Sequence, residues 1–508
     1  MNETKSIAKS AFLVTLMMLF FKFVAFLKQA VIAYYFGATL ETDVYFIAWG
    51  FICLISEAIV KALSVSVVAV YTSLRVTKGK QEAAILINGL IEIIIPFFLL
   101  LICIILLLAP KFAWVLAPSY NADTLLLLIT FLQILTPVML FSGFEFILSA
   151  VLDSYKSFFF PRLQSFIYSV IVIIACVFLS SLLGIRALII SQYLSNLVFL
   201  IVLVAAVRHY HDFFVVRLNK IPEFKTVLLT AFPLFIGNSA LQINQIVDRS
   251  ITSGLGVGAT SALSYCHTIE QFITNIMIVN IGNVMFANFA EFVAKGDLEK
   301  IKINLFKAIN FLICLLTGIS IFTILNAKDI VSIIYFRGNF TFEAVVLTAT
   351  ALCGYAISFV GVAVRDLSVK SLYAFKDTRK PMMASIVSIL VNITFSIILS
   401  KHIGILGVSL ATSISVVVGM ILNAYALKEY LTDYRYLKHL TMFFKCLPAG
   451  CVLLFVCLFF EKFFISNMHW RFLFSGIAGF TVYFFVLYLS GISEIRDMFK
   501  IIKNKIFV

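Results

Sequence analysis

Charge is what this sequence has least of. Asp, Glu, Lys and Arg together make up 13% of its 508 residues, about half of the ~25% usual in a soluble domain. That shortage excludes a water-soluble globular fold. Metal and redox signatures are missing as well. The nine cysteines form no Cys-x-x-Cys pair, and the six histidines lack metal-ligand spacing, so neither a dithiol centre nor a metal cofactor is expected. There is no Gly-rich phosphate loop, and no Ser-His-Asp set or paired soluble carboxylates can be assembled. Hydrolase and transferase chemistry therefore have no residues to carry them. No long polar segment interrupts the chain, which argues against a receptor ectodomain or a nucleotide-driven pump.

Apolar sequence fills the space that charge leaves. Hydrophobic residues reach 62% and mean hydropathy is +1.07. Apolar runs of about 20 residues recur from residue 11 to residue 492, each long enough to cross a hydrocarbon core as a helix. Backbone groups in lipid must be paired internally, and continuous rather than alternating runs select helices over a barrel. The expected fold is an all-α integral membrane protein with about fourteen spans: 10–36, 44–72, 83–109, 124–151, 159–182, 187–207, 227–252, 259–290, 303–326, 344–373, 382–400, 404–427, 439–460 and 472–493. The first run carries Lys22 and Lys28 and no small-residue cleavage site, so it reads as a span and not as a removed signal. The cysteines fall almost entirely inside the runs and read as small buried hydrophobes.

The basic residues orient these spans. With both termini in the cytoplasm, 24 of the 39 Lys and Arg fall in inner connections, 7 in outer ones and 8 inside spans. This is the asymmetry expected of a multi-pass protein with both ends inside. The same dispersal explains the net charge of +14 without nucleic acid, which requires a gathered basic patch.

Residue types repeat at an ungapped offset of 220. Lys156 matches Lys376, Pro161 matches Pro381, Gly184-Ile185 matches Gly404-Ile405, Tyr120 matches Phe340 and Tyr45 matches Tyr265. Six spans separate the copies, so two six-helix lobes in parallel repeat are expected, related by an axis along the membrane normal. Their bounds are 1–207 and 227–430. A cytoplasmic linker covers 208–226, and 431–508 holds two further helices and a basic tail. A substrate path is expected between the lobes.

Ionisable groups in spans are costly and by default face a cavity or a partner. Lys22 and Gln29 share a face of the first span, with Lys28 roughly 120° away from Lys22; two cations there suit a diphosphate, although a lysine can also snorkel to the interface. Asp43 opens the second span, where Glu57 and Lys61 are spaced either to pair or to line a cavity. On the seventh span Asn238, Gln242, Gln245 and Arg249 form one polar stripe flanked by Asn244 and Asp248, read as cavity lining in preference to interhelical glue. Arg365, Asp366 and Lys370 on the tenth span pair or anchor the interface. Glu92, Glu145, Glu270 and Glu291 are single carboxylates that could neutralise cavity cations or hold a proton or Na+.

Several stretches resemble one known family. Ala25-Phe26-Leu27-Lys28-Gln29-Ala30, Phe36-Gly37-Ala38 and Thr42-Asp43-Val44-Tyr45-Phe46-Ile47-Ala48 look like the opening of MurJ-like lipid II flippases. Similar too are Pro233 with Gln242 and Val247-Asp248-Arg249, Tyr335-Phe336-Arg337-Gly338-Asn339-Phe340-Thr341, and Phe375-Lys376-Asp377-Thr378-Arg379-Lys380-Pro381. The resemblance covers about residues 5–430 and places the chain in the superfamily of multidrug and oligosaccharidyl-lipid exporters. It implies that Lys22 and Lys28, standing where the family usually has Arg, bind a lipid-linked diphosphate with Asp43. The family's Arg on the eighth span does not carry over, since Thr268 stands at its place, and Ser56 with Glu57 replace a basic pair on the second span. Lys is a point charge where Arg is a bidentate fork, so a related lipid-linked saccharide is as open as lipid II. The resemblance also raises cation coupling through Asp248, Asn392 and Thr412; Na+, H+ and the membrane potential all stay open.

The expected function is thus a flippase and not an enzyme. It carries a polyprenyl-pyrophosphate-linked saccharide from the inner to the outer leaflet of a bacterial inner membrane by alternating access. The candidate cavity residues are Lys22, Lys28, Gln29, Asp43, Gln242, Gln245 and Arg249. The expected partners are membrane lipids and envelope-synthesis enzymes, the expected state is a monomer, and no cofactor is expected. A MATE-type drug/cation antiporter is the alternative, though it predicts an acidic, aromatic cavity. A membrane-embedded polysaccharide polymerase or ligase would need a larger outer loop than 110–123 or 327–343.

Overall fold

The computed structural model describes residues 2–210, 223–463, 468–492 and 494–496. Most of the expected linker and of the basic tail lies outside the described residues. Every regular element among the described residues is helical, as the composition requires. The chain runs through α1 (Asn2–Phe36), α2 (Leu40–Thr77), α3 (Lys80–Leu116), α4 (Ala122–Leu135), α5 (Met139–Ser154), α6 (Phe159–Leu183), α7 (Arg186–Val207), α8 (Phe224–Ser253) and α9 (Ala259–Thr274). It continues with α10 (Asn280–Ala294), α11 (Leu298–Leu325), α12 (Ala327–Tyr335), α13 (Phe342–Ala356), α14 (Phe359–Ala374), α15 (Arg379–Ile403), α16 (Ile405–Leu427), α17 (Leu437–Phe463) and α18 (Met468–Leu489).

Among the described residues, twelve helical stretches are long and apolar enough to cross a membrane, and α13 with α14, bent by 47°, makes a thirteenth. Helix α8 bears the polar stripe and at 30 residues is about 45 Å long, which completes a count of about fourteen. Large apolar side chains such as Leu107, Leu182 and Leu437 stay exposed, because lipid gives them no reason to hide.

The chain divides into two compact units, Met1–Ser264 with Arg337–Thr341, and Tyr265–Phe336 with Phe342–Val508. In the first, α2 is central and packs on α3, α4, α5 and α8, while α1 lies along α6. In the second, α11 packs on α14 and α17, and α15 and α16 form a close hairpin. Leu312, Leu316, Phe359, Leu367, Leu453 and Tyr483 form its core. The Tyr483 hydroxyl donates to the Cys314 carbonyl at 2.7 Å, so the two last helices are part of this unit's packing.

The 220-residue repeat is written into the backbone. Helix α5 plus 220 gives the bounds of α14, and α6 plus 220 gives those of α15. Lys156 and Lys376, after α5 and α14, both take left-handed φ values of 61° and 62°. The amides of Ser157 and Asp377 then reach back to Leu152 and Leu372, closing the same C-terminal cap twice. Gly184 and Gly404 share φ near 55–57° and end α6 and α15. Tyr155 packs on Tyr210, and Phe375 on Tyr430, each with centroids 4.7 Å apart.

The second copy adds an acid. Asp377 Oδ1 accepts from the amides of Arg379 and Lys380 at 3.1 Å, and Oδ2 accepts from the Tyr430 hydroxyl at 2.9 Å. Burial alone pushes this carboxyl up, but the Lys380 amide, the Tyr430 hydroxyl and the Lys380 ammonium outweigh it and hold it below its ordinary range. Since the folded value is the lower one, this stabilisation is full above the unfolded value and is lost as pH falls through the folded one. Thermal melts across the acid range should therefore show a steeper loss for the wild type than for Asp377→Asn. Parallel curves would rule this account out.

Candidate functional site

Helices α2, α5, α6 and α7 enclose a polar cavity of about 310 Å³ within the first unit. Trp49, Ser56 and Glu57 of α2, Gln164 and Tyr168 of α6 and Asn196 of α7 are among its walls. Polar side chains on four apolar helices can only coexist with lipid outside if they point inward. Gln192, fully buried, donates to the Tyr45 hydroxyl at 2.6 Å and to the Tyr168 hydroxyl at 2.9 Å, tying α7 to α2 and α6. The Trp49 ring stacks on Tyr168.

Lys28 enters this cluster from α1. Its ammonium lies 4.2 Å from the centroid of the Tyr168 ring, a cation–π distance. Gln29 beside it is buried, Lys22 is half-buried and nearly two turns away along α1. The sequence pointed to Lys28 but not to the aromatic seat. Tyr168, Gln192 and Tyr45 are each isolated in apolar runs, and only the fold brings them together.

Asp43 is 1% exposed, and both of its carboxylate oxygens are engaged. Its Oδ1 accepts from the Ser261 amide at 2.6 Å and the Ser261 hydroxyl at 2.5 Å, and its Oδ2 from the Gly258 amide at 2.6 Å. It thus caps the N-terminus of α9 from the start of α2, where a carboxylate also suits the helix dipole.

The polar stripe of α8 faces α2 in part. Gln242 approaches Glu57 at 3.5 Å, and Glu57 pairs with Lys61 at 2.5 Å. The Arg249 guanidinium packs against Gly50, occupying the space a Cβ would need. Asp248 is buried with Asn244 at 3.5 Å, while Gln245 is exposed. Asn238 lies on α8, but its side chain is outside the described residues. In the second unit Asn392 of α15 donates to Thr412 of α16 at 3.0 Å. Asp366 and Lys370 pair at 2.8 Å against Gly282 of α10. No group of three or more His, Cys, Asp or Glu able to hold a metal ion occurs among the described residues.

A second cavity of the first unit, about 840 Å³, lies between α2, α3 and α8. Leu54, Leu63, Ile94, Phe97, Leu228 and Phe232 are among its wholly apolar lining.

These features define a class: a multi-pass helical membrane protein with a polar, cation-bearing interior. The fold is that of an inward-facing multidrug resistance MATE family transporter of the MOP superfamily, with a TM-score of 0.67 over 81% of this chain and 95% of that one, at 15% identity. The likeness is higher to a structure of lipid II flippase MurJ in an inward closed conformation, with a TM-score of 0.81 over 94% and 98% at 22% identity. A family model described as lipid II flippase MurJ matches residues 32–477. The chain is 24% identical to a probable lipid II flippase MurJ of Buchnera aphidicola subsp. Schizaphis graminum, across 98% of this chain and all of that one. It is 22% identical to the lipid II flippase MurJ of Burkholderia cenocepacia, across 78% of each. The chain belongs to the lipid II flippase MurJ family, and it is a transporter, not an enzyme.

Proposed function

We propose that this protein moves lipid II, or a closely related polyprenyl-pyrophosphate-linked saccharide, from the inner to the outer leaflet during peptidoglycan synthesis. The observation that carries this reading is Lys28, a cation within a membrane span, seated on Tyr168 beside a polar cavity. A positive charge maintained in a low-dielectric interior attracts a diphosphate strongly. Lys22 adds a second cation on the same helix, and Arg249 a third charge within the same unit. The apolar cavity between α2, α3 and α8 offers the polyprenyl chain an all-hydrocarbon lining. Alternating access then exposes the head group first to the cytoplasm and then outside.

In this reading the protein works as a monomer in a bacterial cytoplasmic membrane, both termini inside, beside enzymes of envelope synthesis. Cation binding at Asp248 or at the Asn392–Thr412 pair, or the membrane potential, drives the cycle.

Native mass spectrometry of protein purified in mild detergent tests the cationic seat. The wild type should carry a polyprenyl-pyrophosphate saccharide, whose mass identifies the cargo, and Lys22→Ala/Lys28→Ala should lose it. Lys22→Arg/Lys28→Arg should retain it, since the charge is kept and a bidentate fork is added. If the alanine variant melts like the wild type and still holds the saccharide, the lysines are not the diphosphate site.

A further inference from the structure

Glu145 of α5 plays no part in the proposed transport cycle, yet among the described carboxyls of the first unit it is buried with one oxygen unpartnered. It is 3% exposed and lies nine residues before the end of its helix, inside a membrane span. Its Oε2 accepts one hydrogen bond, from Gln164 Nε2 at 3.0 Å. Its Oε1 is buried with no hydrogen-bond partner.

Among the described residues, the groups around it do not supply a counter-charge. On α2, Glu57 and Cys53 face the adjoining cavity, and Glu57 is committed to Lys61; Arg75 donates to the Ser154 carbonyl at the end of α5. On α6, Arg162 pairs with Asp153 at 2.7 Å, and Tyr168 is engaged with Gln192 and Lys28. On α3, Phe98 packs against Gly143 of α5, and Glu92 is exposed. On α7, the polar residues of the cavity wall are Ser195 and Asn196, and Tyr193 donates to the Ile134 carbonyl.

An ionised carboxylate with one oxygen facing apolar surroundings is far less stable than a neutral acid in the same place. The cavity provides a route for exchange. Gln164, the one partner of Glu145, is itself a cavity wall, and the Ser56 hydroxyl in that wall is buried without a partner, free to bind and pass on a proton-carrying water.

We propose that Glu145 is a proton-binding site inside the first unit, loaded and emptied through the α2–α5–α6–α7 cavity by way of Gln164. Loading transfers one proton from hydronium to Oε1 and releases a water. Emptying returns it and leaves one negative charge beside the cavity that holds Lys28's aromatic seat. The site uses none of Asp248, Asn392 and Thr412, and it stands whatever the cargo is.

Infrared difference spectroscopy of the full-length protein in lipid nanodiscs tests the assignment. At neutral pH the wild type should show a protonated-carboxyl C=O band that shifts in D2O and gives way to carboxylate bands at alkaline pH. Glu145→Gln, a neutral isostere that keeps the contact to Gln164, should lack that band. As a second reading, the wild type should lose thermal stability with rising pH as the bound proton leaves, whereas Glu145→Gln should hold its melting point. An identical carboxyl band in wild type and Glu145→Gln, or a well-folded Glu145→Gln whose melting falls with pH as the wild type's does, would overturn the proposal.

Discussion

Replacing Asp43 by Ala should cost this protein stability before it costs any single step of transport. Three donors, the amides of Gly258 and Ser261 and the Ser261 hydroxyl, point at its carboxylate within 2.5–2.6 Å, and the group is fully buried. Removing the acceptor strands buried donors at about 1–3 kcal/mol apiece, so a loss of roughly 3–5 kcal/mol is expected. Asp43→Asn keeps one acceptor oxygen but aims an NH2 at backbone N–H groups, and it should fall between wild type and Ala. The surroundings reinforce the cap. Gly258 holds φ at +84°, and a Cβ there would lie 2.7 Å from the Ala38 carbonyl; Ser261 also reaches Thr42 at 2.9 Å. The Gly37-Ala38 and Thr42-Asp43 motif is therefore the surface on which the start of α9 closes. Melting of the purified variants in detergent decides the matter. An Asp43→Ala protein that melts with the wild type but loses bound saccharide would overturn the capping account and assign this carboxylate to the substrate site.

The contrast between Asp43 and Lys28 shows how far the residues could be read directly. Helix number, the repeat and its period are local and periodic properties, and Lys156/Lys376 and Gly184/Gly404 were visible because each copy caps a helix in the same way. An acid at the start of a span was also visible, but its partners lie 215 and 218 residues away. Nothing in the period of either helix says that they meet. Lys28 was legible because a cation in a span needs a reason. Its seat was not, since Tyr168 and Gln192 look like ordinary interruptions of apolar runs until four helices converge. The bend between α13 and α14 was also hidden: its counterpart in the first unit is a short 3-10 turn at Thr136–Val138 containing Pro137, whereas the second copy has Ile357 there. The backbone break is kept without the proline that would have announced it.

Gly338→Val should be the most damaging change in the Arg337–Thr341 segment, although that segment lines neither of the first unit's two cavities described above. The segment packs with the first unit and completes the C-terminus of α1. The Asn339 amide donates to the Tyr34 carbonyl at 2.8 Å, and the Asn339 side chain to the Tyr35 carbonyl at 2.5 Å. Those carbonyls belong to the last turn of α1 and have no partner within the helix. Gly338 makes the approach possible in two ways. Its φ of +58° is left-handed, and a Cβ on it would fall inside the van der Waals shell of the Tyr34 carbonyl oxygen. A β-branched residue pays about 1–2 kcal/mol for the backbone conformation alone and about 1–3 more for overlap with a backbone atom that cannot rotate away. The expected loss is thus about 2–5 kcal/mol, with the loop released to added protease. Asn339→Ala keeps the amide bond and forfeits only the side-chain one, so it should cost about 1 kcal/mol. The ordering is the sharp part of the test: if Asn339→Ala is the worse of the two, the side chain holds the loop and Gly338's close approach is a consequence of it, not its cause.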